Sequence, residues 1–239
     1  MAGAFTALIG NFSVTTGKTF PIGSATYTAG KLYVLSIRNR RTAAASESPS
    51  SISGGHASNT WVKPTNAADF TYDNTNREYM TTWFMVAGAT ETVDLTINFT
   101  NDQVNCSWSI AEGTGFDTSN LNALIVQAKT LTDSASTTPS LTFNSAFANA
   151  NNVTYAVADF SATGTNRDIA GDSNMIDLHD LESSGLNVGY FHTQWKASEE
   201  ATVNWTKDIS TISSHYIAEL KVLVAAAAPP ARTLLGVGT

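Results

Sequence analysis

The feature that most constrains the fold is a long run of alternating apolar and polar residues, residues 77–115. This run contains three segments typical of β-strands, residues 78–86, 92–99 and 104–111, joined by short turns. In the second segment the apolar residues are Val93, Leu95, Ile97 and Phe99. A period of two places successive side chains on opposite faces of a strand, so that one face is buried. We expect the three strands to form the middle of one sheet.

A weaker copy of the run occurs at residues 186–224. Trp195 corresponds to Trp83, and Ser-His-Tyr-Ile-Ala-Glu at residues 214–219 corresponds to Ser-Trp-Ser-Ile-Ala-Glu at residues 107–112. Two copies are too few, and their period is too long, for a solenoid of repeats. We therefore interpret the two copies as the two halves of one sandwich.

Most of the remaining chain is also typical of β structure. Residues 31–38 form a nearly continuous apolar run, which fits a strand buried on both faces. Residues 121–131 fit either a short helix or a strand, and residues 175–182 are ambiguous. The sequence predicts an all-β protein, an antiparallel two-sheet sandwich that is jelly-roll-like. We expect one domain over residues 1–224 and an extended C-terminal tail over residues 225–239.

The composition limits the kinds of partner. Only 14% of the residues are charged, against about 25% in ordinary soluble domains. Such a neutral polar surface suits subunits that pack closely, because fewer charges lose their hydration. The net charge of −7 argues against a nucleic acid partner, because phosphate binding requires clustered Lys and Arg.

The sequence predicts neither a signal peptide nor a membrane span. The first residues lack the basic and apolar regions of a signal peptide, and no segment approaches the roughly 18 apolar residues of a membrane span. We expect synthesis in a cytoplasm and no membrane partner. Cys106 is the single cysteine, so no intrachain disulfide is expected, and its strand position predicts burial.

The tail is the first candidate for a contact with another subunit. Pro229 and Pro230 disfavour a regular helix or strand and favour an extended chain. The segment beyond them carries the apolar residues Leu234, Leu235 and Val237, which we interpret as an arm that docks on a neighbouring subunit. A frayed chain end is the alternative. Arg38 and Arg40 are weaker candidates, since both lie on one face of an extended chain, where a solvated strand end is the simpler interpretation.

Several short motifs then mark the order of the chain. An apolar strand follows Ala-Gly-Lys, a Thr-Trp segment comes next, and an aromatic strand ends in Val-Ala-Gly-Ala. Thr-Val-Asp-Leu-Thr-Ile and Trp-Ser-Ile-Ala-Glu follow, then Thr-Pro-Ser-Leu and finally Tyr-Ile-Ala-Glu-Leu. Over residues 5–224 this layout resembles the β-sandwich virion proteins of tailed bacteriophages, found among head decoration, tail and fibre components. The resemblance implies a jelly-roll-like sandwich without enzymatic activity, and it supplies no catalytic residues.

A few acidic and aromatic residues are candidates for chemistry. As a strand, the acidic segment 175–182 would place Asp177 and His179 on one face but Asp180 and Glu182 on the other, which does not give the carboxylate spacing of a glycosidase, so a loop or short helix is favoured there. Fragments near residues 73–78 and 172–177 resemble parts of calcium loops but lack the full ligand set. We therefore expect no cofactor, no metal site and no enzymatic activity. The aromatic residues that would stack on a sugar are Trp61, Tyr72 and Trp195, although most tryptophans are expected in the core.

Two functions follow as hypotheses. The first is a structural virion protein, a decoration or cement protein of the capsid, made in the host cytoplasm. It would bind other virion proteins, above all the major capsid protein, and form a homo-oligomer, with a trimer as the first candidate. The alternative is a tail or fibre module that binds a receptor or a carbohydrate through its loop aromatics.

Overall fold

The structure is a computed structural model that describes residues 2–41, 47–73, 78–133, 136–161, 169–182, 189–208 and 210–224. The predicted arm residues Leu234, Leu235 and Val237 lie outside this part of the chain. The described residues form seventeen β-strands and one three-residue 3-10 turn.

The first half of the chain contains eight strands. They are β1 (Ala4–Ser13), β2 (Gly17–Tyr27), β3 (Leu32–Arg40), β4 (Ser51–Ser53), β5 (Asp69–Asp73), β6 (Glu78–Val86), β7 (Glu91–Gln103) and β8 (Asn105–Thr114).

The second half begins with the 3-10 turn Leu121–Ala123 and contains the other nine strands. They are β9 (Ile125–Asp133), β10 (Ser140–Thr142), β11 (Val153–Ser161), β12 (Ile169–Ala170), β13 (Ile176–Glu182), β14 (Gly189–Lys196), β15 (Thr202–Asn204), β16 (Thr206–Lys207) and β17 (Ser213–Leu220).

The strands form antiparallel sheets in four layers. The two inner sheets are five-stranded, with the orders β1-β8-β3-β6-β5 and β13-β14-β11-β17-β9. An outer sheet, β2-β7-β4, covers the first inner sheet, and two small sheets, β10-β15 and β12-β16, cover the second. The predicted all-β sandwich is confirmed, and the outer sheets add layers that the sequence did not predict.

The two halves repeat one topology. Counted from the start of its half, each inner sheet contains the first strand, the last, the third, the sixth and the fifth, in that order. The second, fourth and seventh strands lie in the outer layer. Passage of the chain between two sheets, with the first strand beside the last, is the jelly-roll arrangement. The fifth strand of each half departs from this arrangement, because β5 pairs with β6 and β13 pairs with β14 within the inner sheets.

Contacts between the inner sheets indicate an approximate two-fold relation of the halves. Arg38 and Asp159 hold matching positions, since they pair with Ser107 on β8 and Ser214 on β17, and they contact each other across the interface. The sequence comparison had matched the same two serines.

Three hydrophobic clusters fill the spaces between layers. The central cluster lies between the inner sheets and takes residues from both halves, including Val34, Phe84, Tyr155 and Trp195. A second cluster lies under the outer sheet of the first half, and a third lies under the small sheets of the second half. The two halves therefore share one core and each has a further core of its own.

The burial patterns of two strands explain why their sequences differ. On β3, Tyr33 and Leu35 face the cluster of the first half while Leu32 and Val34 face the central cluster, so the strand is apolar on both faces. On β7, the apolar residues face inward and the alternate polar residues are more exposed, as the period of two predicted.

Several sequence expectations need correction. The strands at residues 78–86, 92–99 and 104–111 do not lie in one sheet, because β7 pairs with β2 and β4 while β6 and β8 lie in the inner sheet. Periodicity shows which face of a strand is buried, but not which sheet the strand joins. Residues 175–182 contain strand β13 rather than a loop or helix. Of the two alternatives for residues 121–131, the strand is observed, as β9.

Candidate functional site

The described chain leaves the sandwich through the short segment 221–224, after β17. Val222 forms an antiparallel bridge with Phe116 and is buried in the central cluster. The backbone N–H of Leu223 donates to the carbonyl of Gly115 at 2.8 Å. The segment is therefore fixed to the body of the protein up to the point at which residues 225–239 begin.

An ion pair lies beside this segment. Lys221 Nζ is 2.7 Å from Asp117 Oδ2, and the hydroxyl of Ser119 donates to Asp117 Oδ1 at 2.6 Å. The hydrogen bonds from Lys221 and then from Ser119 lower the pKa of Asp117 to about 2. The carboxylate is therefore ionised at neutral pH, although an ion pair this close to solvent contributes little stability.

A groove of about 390 Å³ opens at the same place. It is lined by Ala2, Asn149, Asn151, Ala197, Val222, Leu223 and Val224. Leu223 is 50% exposed and Val224 is 68% exposed. Elsewhere in the described chain the exposed large apolar residues stand singly in the sequence, at Val14, Val62, Val126 and Ile176. This groove is the candidate functional site, because two neighbouring apolar side chains lie uncovered at its edge.

The N-terminal residues form the other wall of the groove. Gly115 has a φ of +77°, a conformation that favours glycine, and a Cβ there would lie 2.4 Å from the carbonyl oxygen of Ala2. At Gly3, a Cβ would lie 2.8 Å from the side chain of Val222. The two glycines thus allow the first residues and the exit segment to lie side by side.

Of the two predicted interface arginines, Arg38 is buried within its own chain. Its side chain has no exposed area, so it cannot contact a neighbouring subunit or be a solvated strand end. Its guanidinium is hydrogen-bonded to Glu78 and, at 2.5 Å, to Asn105 Oδ1, and its Nε lies 3.4 Å from Asp159 Oδ2. Arg40 is partly exposed, and its predicted role at an interface stays a prediction.

This buried charge cluster contains one cation and two carboxylates. Burial raises the pKa of Asp159 to about 7, against the opposing effect of Arg38. Among the described residues, neither carboxylate oxygen of Asp159 has a hydrogen-bond donor. Sequence analysis missed the cluster, although Arg38 and Asp159 each stand as a charge inside an apolar strand. The sequence signal that could have paired Arg38 with Asp159 was the presence of opposite charges in two strands predicted to be buried.

The predicted sugar-binding aromatics do not form a surface. Trp61 is 7% exposed and lies in the cluster of the first half, and Trp195 is 6% exposed and lies in the central cluster. Their faces are therefore unavailable for stacking on a sugar. Tyr72 belongs to β5, but its side chain lies outside the described part of the structure.

A shallow cleft of about 470 Å³ lies beside Trp61, between the halves of the chain. Its lining is mainly Ser, Thr and Asn, such as Thr60 and Asn120, over apolar residues that include Val62 and Leu121. Such a surface offers hydrogen-bond donors and acceptors without an aromatic platform.

The acidic strand β13 has structural partners for its titratable residues. Asp177 Oδ1 lies 2.9 Å from His192 Nε2, and this contact lowers the pKa of Asp177. His179 Nδ1 lies 2.8 Å from the hydroxyl of Ser109 in the other half, and burial lowers the pKa of His179. A register shift between Asp177 and His179 separates their partners. Within the described ranges, His, Cys, Asp and Glu form no group of three that would hold a metal.

Comparison with known proteins gives no relative: no family model matches the chain, and no curated protein or solved structure matches it. In the part of the chain that the structure describes, no helix is long and apolar enough to cross a membrane. Function is therefore inferred from the residues of this chain.

Proposed function

We propose that the protein is a structural subunit of a tailed-bacteriophage virion, a decoration or cement protein that binds the capsid. The observation that carries the proposal is the groove at the chain exit, where Leu223 and Val224 are exposed. From there the chain continues into residues 225–239, which contain Leu234, Leu235 and Val237. The low charge content and the layout of the sandwich motifs support the same assignment.

The proposed mechanism is burial of apolar and neutral polar surface between subunits. Complete burial of one Leu or Val side chain stabilises an assembly by about 1.5–3 kcal/mol. A few such residues on a short arm, repeated at every subunit, would reinforce a shell without chemistry. Arg40 is a further contact candidate in this proposal.

The location and partners belong to the same proposal. The protein would be made in the host cytoplasm and assembled into the virion, with the major capsid protein as its main partner. It would form a homo-oligomer and would use no cofactor, nucleic acid or membrane. The net charge of −7 supports the omission of nucleic acid.

The test keeps the length of the arm and changes its chemistry. One variant carries Leu234→Asn, Leu235→Asn and Val237→Asn. A matched control changes three other positions of the same segment, Arg232→Gln, Thr233→Ser and Thr239→Ser. Both are mixed with phage heads that lack this protein and are sedimented. We expect the control to bind in a saturable, whole-number ratio to the capsid subunit and the first variant to lose most binding.

Two results would contradict the proposal. If the wild-type protein does not bind the heads, the capsid assignment is wrong. If the asparagine variant binds as well as its control, binding does not depend on the apolar arm. Far-ultraviolet circular dichroism of each variant shows whether the fold is intact, so that loss of binding is not mistaken for unfolding.

The cleft beside Trp61 supports the second candidate, a tail or fibre module that binds a receptor or a carbohydrate. Its Ser, Thr and Asn side chains offer hydrogen bonds to a hydroxyl-rich ligand. Burial of Trp61 and Trp195 removes the stacking residues that were predicted for this role. Binding of the purified protein to host-surface glycans, abolished by Thr60→Ala together with Asn120→Ala, would favour this candidate.

A further inference from the structure

The inner sheets end in four edge strands, β1 and β5 in the first sheet and β9 and β13 in the second. An edge strand presents N–H and C=O groups that can pair with another chain. Proteins block such edges with bulges, with like charges or with a covering element. Three of the four edges are protected in these ways.

The β1 edge is both irregular and covered. Its pairing with β8 shifts register between Ala7 and Ile9. The ring of His179, on β13, lies so close to Gly10 that a Cβ there would be 2.3 Å from a ring carbon. Strand addition at β1 would therefore require displacement of β13.

The β5 and β13 edges combine bulges with acidic residues. The register of β5 shifts between Thr71 and Asp73, and that of β13 shifts between Asp177 and His179. Each strand carries acidic residues and no Lys or Arg: Asp69 and Asp73 on β5, and Asp177, Asp180 and Glu182 on β13. Pairing of either strand with its own copy would bring carboxylates together.

The β9 edge is bulged only at its start, where its register with β17 shifts at Val126, and among the described residues the rest of the strand lacks these protections. Seven consecutive residues from Gln127 to Asp133 pair with β17 without a register shift. Among the described residues, the backbone of residues 126–132 forms no backbone hydrogen bond other than those within its sheet. Thr130 and Thr132 are exposed, and Val126 is 37% exposed.

The charges of β9 are arranged to fit a second copy. Lys129, Leu131 and Asp133 alternate along one face of the strand. In an antiparallel pair centred on Leu131, Lys129 of each copy lies opposite Asp133 of the other, and Thr130 lies opposite Thr132. Opposite charges and paired threonines are favourable cross-strand neighbours.

We propose that β9 is a homodimer contact, in which two copies pair antiparallel through residues 129–133 and join their second-half inner sheets. Both charged side chains already have contacts within their own chain. Lys129 Nζ donates to the carbonyl of Thr142 at 2.8 Å, and Asp133 Oδ2 accepts from the backbone N–H of Ser136 at 3.1 Å and lies 3.8 Å from Lys207 Nζ. Pairing adds a partner to each charge without removing these contacts.

The inference deepens the homo-oligomer part of the proposed function but does not depend on the arm or on capsid binding. A two-fold contact produces dimers, whereas the sequence led us to expect a trimer. It also uses a different surface from the groove at Leu223 and Val224. Purified protein alone therefore tests it, whatever the outcome of the sedimentation experiment.

The test is a charge exchange, measured by sedimentation equilibrium over a wide range of protein concentration. Lys129→Glu places Glu opposite Asp133 twice in the dimer, and Asp133→Lys places Lys opposite Lys129 twice. We expect each single variant to weaken dimerisation roughly ten-fold or more. The double variant Lys129→Glu/Asp133→Lys restores opposite charges and should regain most of the affinity. Lys18→Glu, at an exposed position of β2, is the matched control and should behave as wild type.

The charge exchange also separates pairing from damage to the strand. Loss of the Thr142 and Ser136 contacts would affect the double variant as much as the single ones, so rescue requires the intermolecular pairs. A wild-type protein that is monomeric or trimeric at every concentration would overturn the proposal. A dimer that Lys129→Glu leaves unchanged would also overturn it.

Discussion

The two halves of the molecule share one strand order but build their outer layers differently. In the first half, the thirteen-residue strand β7 holds β2 and β4 in one continuous outer sheet. In the second half, the corresponding region is split into β15 and β16 on either side of Trp205. Each inner sheet packs against the other half as well as against its own outer layer, so two sets of contacts constrain its strand order. Each outer layer covers only its own half and is freer to diverge.

One matched pair of positions shows the difference in chemistry. Trp108 on β8 and His215 on β17 each face the outer core of their half, that is, the hydrophobic cluster under its outer layer. Trp108 lies among apolar residues, whereas His215 contacts the ring of Trp205 and lies 2.8 Å from the hydroxyl of Ser213. The outer core of the first half is therefore apolar at this point, and that of the second half contains a titratable group.

The largest expected effect comes from breaking the contact between the halves. Arg38→Met keeps the length of the side chain but leaves Glu78 and Asp159 buried without their cation. We expect a loss of about 3–5 kcal/mol in the free energy of unfolding, measured by urea denaturation. Lys31→Met is the control, because its ion pair with Glu112 is partly exposed and should cost no more than about 1 kcal/mol. Equal losses in both variants would show that the cluster is not a main contact.

The next comparison is between the two outer cores. Trp108→Ala removes a large buried side chain and should cost about 3–5 kcal/mol. His215→Ala removes a smaller ring and one polar contact and should cost about 1–2 kcal/mol. Urea denaturation measures both, and amide hydrogen exchange shows which half opens. If the two substitutions cost the same, the outer cores do not differ in the way their residues suggest.

A smaller effect on stability, dependent on pH, is expected from Asp159 in the contact between the halves. The folded state raises the pKa of Asp159 from 3.8 to about 7. The folded state therefore keeps a proton that the unfolded chain releases, so this contribution to stability is present at low pH and is lost as pH rises towards 7. Between pH 7 and pH 5, Asp159→Asn should lose about 2 kcal/mol relative to wild type. Thermal unfolding at both pH values measures it, with Asp94→Asn, at an exposed site, as control.

In the second half, His215 gives the stability of the protein the opposite dependence on pH. Burial, and then Lys207, lower the pKa of His215 from 6.5 to about 3. The unfolded chain binds a proton first, so this contribution to stability is present above pH 6.5 and is lost as pH falls. Between pH 7 and pH 5, His215→Gln should gain about 2 kcal/mol relative to wild type. His56→Gln, at an exposed histidine, should show no such gain. A gain in both would mean that burial of His215 is not the cause.

The fold was predictable from sequence to the level of strands and faces. The match between residues 107–112 and 214–219 identified β8 and β17 correctly, because both strands lie between the first and third strands of their halves. The match of Trp83 with Trp195 was wrong by one residue. Trp83 pairs with Leu35 on β3 and Trp195 pairs with Tyr155 on β11, but Leu35 and Tyr155 are one position apart when Arg38 is matched with Asp159. That shift places one tryptophan in an outer core and the other in the central core.

The rest depended on contacts between distant parts of the chain. Pro21 lies inside β2, which continues past it with a register shift between Pro21 and Gly23, as an edge strand allows. Arg38 was placed on the surface because nothing near it in sequence shows that Glu78 and Asp159 approach it. The groove at the chain exit also joins residues 2 and 224, from opposite ends of the described chain.

The shared groove of Ala2 and Val224 has a consequence for engineering. A short linker could join these two positions, and new ends could be opened between Ser119 and Asn120, which are exposed and lie between the halves. Such a circular permutant would encode the second half before the first while every strand kept its neighbours, as proximity of chain ends permits in other domains.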